Sequence, residues 1–164
     1  YSSIVAFIAL YAKGMSMMDA VPFYFMASAA AAVVTRPAIG KAFDRLGAAR
    51  VIYPCILVFC AGLILMANIS GVAGLILSGV IIGIGNSSLF SCYQSLVARM
   101  APKRRTGISS STYFFIFDFC AGAGCMCMGK IISVLGFSAT YLTMSGLMLL
   151  SMPVYYVLVQ RRAV

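Results

Sequence analysis

The sequence predicts an all-α integral membrane protein of six transmembrane helices, and three observations carry that prediction. Its 164 residues are 63% hydrophobic, with a mean hydropathy of +1.04. Only 9% are charged, against roughly 25% in an ordinary soluble domain. The apolar residues gather in runs of about 20, the length a helix needs to cross roughly 30 Å of hydrocarbon at about 1.5 Å per residue. A soluble fold has to cover its outside with charge, and this chain lacks the charge to do it. Helices are favoured over a β-barrel, because the runs are long and show no alternation of period two.

The first apolar run, 1–12, spans only about 18 Å at helical rise and is too short to cross. The chain begins at Tyr1 with neither a Met nor the charged start of a signal peptide, and the remainder of this run is expected upstream. The complete spans are predicted at approximately 20–39, 51–68, 72–97, 107–134 and 139–159.

Loop charge sets the orientation, since Lys and Arg accumulate on the cytoplasmic side. Arg36, Lys41, Arg45 and Arg50 follow the second span, Arg99, Lys103, Arg104 and Arg105 follow the fourth, and Arg161 and Arg162 follow the sixth. Only Lys13 and Lys130, of 12 basic residues, fall on the other side. Both ends of the chain are therefore expected in the cytoplasm.

Close helix packing in lipid needs small residues. The stretch from Ala27 to Ala32, the pair Gly79 and Gly83, and the group Gly122, Gly124 and Gly129 are the predicted packing faces.

The net charge of +9 does not indicate a nucleic-acid partner, because the charges sit in clusters between apolar runs and form no basic face. All six cysteines, Cys55, Cys60, Cys92, Cys120, Cys125 and Cys127, lie inside apolar runs and read as buried small hydrophobes. With no His, no zinc site is expected. The run Cys125–Met128 and the loop methionines Met15, Met17 and Met18 suggest Cu(I). Successive helical residues point about 100° apart, so the run cannot converge on one ion, and no metal or other cofactor is predicted. The absence of His and of paired acids also argues against an embedded enzyme.

From Arg36 to Arg50 the chain reads RPAIGKAFDRLGAAR. Gly40 and Gly47 permit a tight reversal, and Asp44 is expected where a helix N-terminus presents unpaired N–H groups and a positive dipole end. An acid so placed latches two helices; the alternative is a solvated turn that only obeys the positive-inside rule. This stretch resembles the signature loop of the major facilitator superfamily. That pattern is a Gly, an Asp four residues later followed by a basic residue, a Gly three after the Asp, then further basic residues. Gly40, Asp44, Arg45, Gly47 and Arg50 match it, while Ala48 and Ala49 stand where the family usually places at least one Arg or Lys.

Looser similarity continues through Gly83, Gly85 and Gln94, then Pro102, Arg104, Arg105 and Gly107, then Asp118, Gly122 and Gly129. It resembles the drug:proton antiporter branch, of the sugar/drug efflux permease type. Family members have twelve helices in two related halves. The fourth span here has no basic residue before Arg99, unlike the first half of such exporters, and the chain stops soon after its sixth span. The resemblance thus implies that 1–164 is the C-terminal six-helix half, its N-terminal partner half missing.

Two groups of residues are candidates for chemistry. Asp118 is the one acid inside an apolar span, roughly 18 Å from its start and so near the bilayer centre. Buried carboxylates there mark ion, proton or substrate routes, although a purely structural hydrogen bond to a neighbouring helix remains open. Gly83, Asn86, Ser87, Phe90, Tyr93 and Gln94 fall broadly on one side of the fourth span, which makes them either a cavity wall or a seam of interhelical hydrogen bonds.

The resemblance implies a secondary active transporter in the cytoplasmic membrane of a cell, moving small organic solutes or drugs by alternating access, with protons as coupling ion and efflux as direction. Solute uptake by the same fold and a non-transporting scaffold in the lipid bilayer are the alternatives.

Overall fold

A computed structural model describes residues 1–69, 71–101 and 106–156. Ser70, the basic cluster from Pro102 to Arg105, and Arg161 and Arg162 lie outside the described residues. The described chain is helical throughout, in the order α1 (Ser2–Gly14), a 3-10 turn (Met18–Ala20), α2 (Val21–Leu46), α3 (Ala48–Ala67), α4 (Val72–Met100) and α5 (Thr106–Tyr155).

Six separate spans are not what the structure holds: five helices stand among the described residues, four of them long and apolar enough to cross a membrane. The fifth and sixth predicted spans belong to one element of 50 residues. At about 1.5 Å per residue it would measure about 75 Å if straight, more than twice a bilayer core. It is broken at Gly136, whose φ of 76° and ψ of 172° lie in a region essentially reserved for glycine. One residue therefore does the work for which a loop was expected.

The same device joins α2 to α3. Gly47, with φ 84° and ψ 162°, is the single residue between them. The predicted gating loop is consequently not a loop. Arg36, Gly40, Asp44 and Arg45 lie inside α2, Arg50 lies in the first turn of α3, and Gly40 makes no reversal. Pro37 is carried within the helix, as neighbouring helices allow in membrane bundles.

The core is centred on α3, where Ile52, Ile56, Leu63 and Met66 are at most 2% exposed. α4 packs between α2 and α3, and its glycines set the spacing. A Cβ on Gly83 would lie 2.5 Å from the Ser28 carbonyl oxygen of α2, and one on Gly85 would lie 2.8 Å from the Phe59 backbone of α3. In lipid such contacts stabilise through van der Waals packing rather than through exclusion of water. The predicted packing face of α5 is different: among the described residues a Cβ on Gly122 or Gly124 would meet nothing within 4 Å, and one on Gly129 would meet the ring edge of Phe7.

The two arms of α5 have different neighbours. Before Gly136, Phe117 lies edge-on to Phe90 of α4 at 5.4 Å. After it, Tyr141 packs on Tyr11 of α1, Tyr155 packs on Tyr53 of α3, and the Cys60 thiol donates to the Ser145 carbonyl across α3 and α5. Tyr11 also donates its hydroxyl to the Met66 carbonyl at 2.9 Å, tying α1 to the end of α3.

The cysteines are all free thiols, but burial divides them: Cys55, Cys60 and Cys92 are buried, whereas Cys120 and Cys127 are exposed. Met15 and Met17 pack against the core, and Met126 is 78% exposed.

Candidate solute cavity

α4 supplies the central wall of the candidate site. At 3.6 residues per turn, Asn86, Phe90 and Tyr93 recur on one face, and all three line a cavity of about 440 Å³. The facing wall is the first arm of α5, through Tyr113, Phe117 and Cys120, and the floor is Phe59 of α3 with Met148 from the second arm of α5. Phe90 is the hub of the aromatic cluster, with the rings of Tyr113, Phe114 and Phe117 between 5.4 and 6.3 Å away. Those spacings suit tilted and edge-to-face contacts.

A second cavity of about 400 Å³ adjoins it between α2 and α4 and shares Asn86 and Phe90 with it. Gly83 and Ser87 line this one, opposite Ser28 and Arg36 of α2. A third, of about 260 Å³, shares Phe59 and Met148 with the first and is faced by Met128 and Met144. The three form one crevice with an aromatic middle, a polar branch and a thioether branch. Its chemistry is that of a binding site: stacking surfaces, adaptable thioethers and a few polar groups that can orient a guest.

Of the six residues predicted to line a cavity, Gly83, Asn86, Ser87, Phe90 and Tyr93 do so. Gln94 lines none of the three cavities and is exposed; it shares the face of Phe90 but stands one turn farther along α4. Phe59, Tyr113 and Phe117 were not foreseen. The density of aromatic residues from Tyr113 to Phe119 was the available signal.

Asp118 also stays outside these cavities. It follows the cavity-lining Phe117 by one position, is exposed on the outer side of α5, and has no ion pair among the described residues. Asp44 has a partner other than the one expected. It lies in the last turn of α2 rather than at a helix N-terminus, and its carboxylate receives a direct hydrogen bond and ion pair from the guanidinium of Arg99 at the end of α4. Arg99 also lies over the Phe43 ring, 5.0 Å from its centroid, close enough for a cation–π contact. The pair is a side-chain bridge between the ends of α2 and α4, with Asp44 70% and Arg99 57% exposed.

Among the described residues no group of His, Cys, Asp or Glu could hold a metal ion. A sequence model described as Major Facilitator Superfamily matches residues 2–164. No curated protein and no solved structure matches the chain.

Proposed function

The chain belongs to the Major Facilitator Superfamily and is a multi-pass membrane protein of that transporter family, and on that premise we propose that it is one half of a secondary active transporter that exports small organic solutes in exchange for protons. The observation that carries the reading is the crevice between α4 and α5, whose aromatic middle is lined from five helices or helix arms. A cavity shared by so many elements changes shape when they rock, which alternating access requires.

Asp118 and the first arm of α5 support a second six-helix half as the opposite wall. A carboxylate facing hydrocarbon is costly, so its exposure on this chain suits a face covered by another bundle or by an aqueous path. There Asp118 would carry the coupling proton. Asp44 and Arg99 would form a latch that holds the cytoplasmic ends of α2 and α4 together in one access state. The drug:proton antiporter reading and the assignment to the C-terminal half rest on the motif from Arg36 to Arg50 and on the looser matches beyond it.

The test is flux in proteoliposomes. This chain alone should move no fluorescent solute above protein-free vesicles, and co-expression with a matching N-terminal half should restore proton-driven flux. Saturable flux by the chain alone would replace the half-transporter with a small carrier that builds its path as a dimer.

A further inference from the structure

Arg36 is the one charged side chain among the residues that line the three cavities. It sits in α2, ten positions before Leu46, or about 15 Å from that helix end. The chain has three acids to neutralise twelve bases. Asp44 is engaged by Arg99. Asp19 lies at the far end of α2, 17 positions away or about 25 Å. Asp118 is on the outer side of α5, and no ion pair among the described residues involves Arg36. Arg36 is exposed on α2, and a guanidinium that lines a cavity with no carboxylate partner among the described residues calls for an anion or water.

Beside Arg36 the polar branch offers the Ser28 and Ser87 hydroxyls and the Asn86 amide, and Asn86 and Phe90 open directly onto the aromatic middle. We infer that the crevice takes amphipathic organic anions, with a carboxylate- or sulfonate-like head at Arg36 and an aromatic body against Phe90, Tyr113 and Phe117. Arg suits the head because its planar fork of donors matches such oxyanions in bidentate fashion. The inference rests on the reading of the crevice as a solute site and adds the sign of the solute's charge.

The test is calorimetric binding to the purified chain in dodecyl maltoside, using naphthalene-2-sulfonate, 2-naphthylmethanol and 2-naphthylmethylammonium as anionic, neutral and cationic probes of one shape. The sulfonate should bind at least about tenfold more tightly than the alcohol, as a charge-assisted contact allows. Arg36→Gln should remove that advantage and leave alcohol affinity unchanged. Arg36→Lys should recover part of it, and Lys13→Gln should change nothing. Helicity by circular dichroism shows that each variant is folded. Equal binding of all three probes, a preference for the cation, or an equal loss with Lys13→Gln would overturn the anion assignment while leaving the aromatic site standing. Displacement of the sulfonate by phosphatidylglycerol but not by excess aromatic anion would give Arg36 to a lipid headgroup and overturn it too. No binding of any probe to the folded chain would remove the solute site itself.

Discussion

Arg99, in the last turn of α4, holds the carboxylate of Asp44, in the last turn of α2, so that the two helices are bridged at their ends by side chains rather than by a helix dipole. The dipole in fact opposes Asp44, because an acid at a helix C-terminus faces partial negative charge. Arg99 compensates from the neighbouring helix and rests on Phe43 as it does so.

An ion pair this exposed contributes about 0 to 1 kcal/mol, so Asp44→Asn should leave the melting temperature almost unmoved. Its effect should instead be on the gate: slower transport and, in inside-out vesicles, faster labelling by an impermeant maleimide of a cysteine placed at Leu46. Arg99→Gln should reproduce both changes. Unaltered turnover and labelling in both variants would reduce the pair to a marker of topology.

Glycine substitutions should divide by environment. Gly83→Ala drives a methyl into the Ser28 backbone and should cost about 1 to 3 kcal/mol as overpacking. Gly136→Ala has open space but the wrong dihedral, φ 76°, and should cost about 1 to 3 kcal/mol as strain. Gly122→Ala meets nothing within 4 Å and should be neutral or stabilising by up to about 1 kcal/mol through helix propensity. Unfolding in detergent followed by circular dichroism ranks the three, and a destabilised Gly122→Ala would contradict the open α5 face.

Depth along a helix was legible in the sequence, and direction around it was legible only in part. The break at Gly136 falls between the predicted span limits 134 and 139. The sequence shows no polar loop there, so a break made by one dihedral pair could not be told from a short loop. The span that holds Arg36 and Pro37 is predicted to end at 39, since clustered bases mark a membrane boundary and proline disfavours a helix interior. In a bundle α2 continues for two further turns and more, and Arg36 becomes part of a cavity wall. Helical period put Asn86, Phe90 and Tyr93 on one face. It could not say what lies opposite, and Phe117 and Tyr113 entered the site through tertiary packing alone.

Asp118→Asn keeps the size of the side chain and removes its charge. Asp118 pairs with no described residue and lines none of the three cavities, so the variant should fold and bind solute as the parent does. Proton-driven accumulation should be lost, while exchange of solute across the membrane without a proton gradient persists. Loss of expression or of helicity would make the residue structural, and normal accumulation would move coupling elsewhere.

The two ends of the bundle differ in their density of basic residues, and this predicts which end meets the cytoplasm. At one end stand Arg45, Gly47, Arg50 and Arg99 with the Asp44 bridge. At the other, Tyr11 meets Met66, Phe137 and Tyr141, and the nearest bases are Lys13 and Lys130. Lys and Arg are retained on the cytoplasmic side, so the first end is predicted to be the cytoplasmic one. Single cysteines at Leu46 and Met100, 53% and 69% exposed, should resist an impermeant reagent in intact cells. Cysteines at Met18 and Val72, 51% and 47% exposed, should react. Permeabilised cells should label all four, which shows that protection comes from the membrane and not from burial. The inverse pattern would turn the bundle over, and the Asp44–Arg99 bridge could then no longer be a cytoplasmic latch.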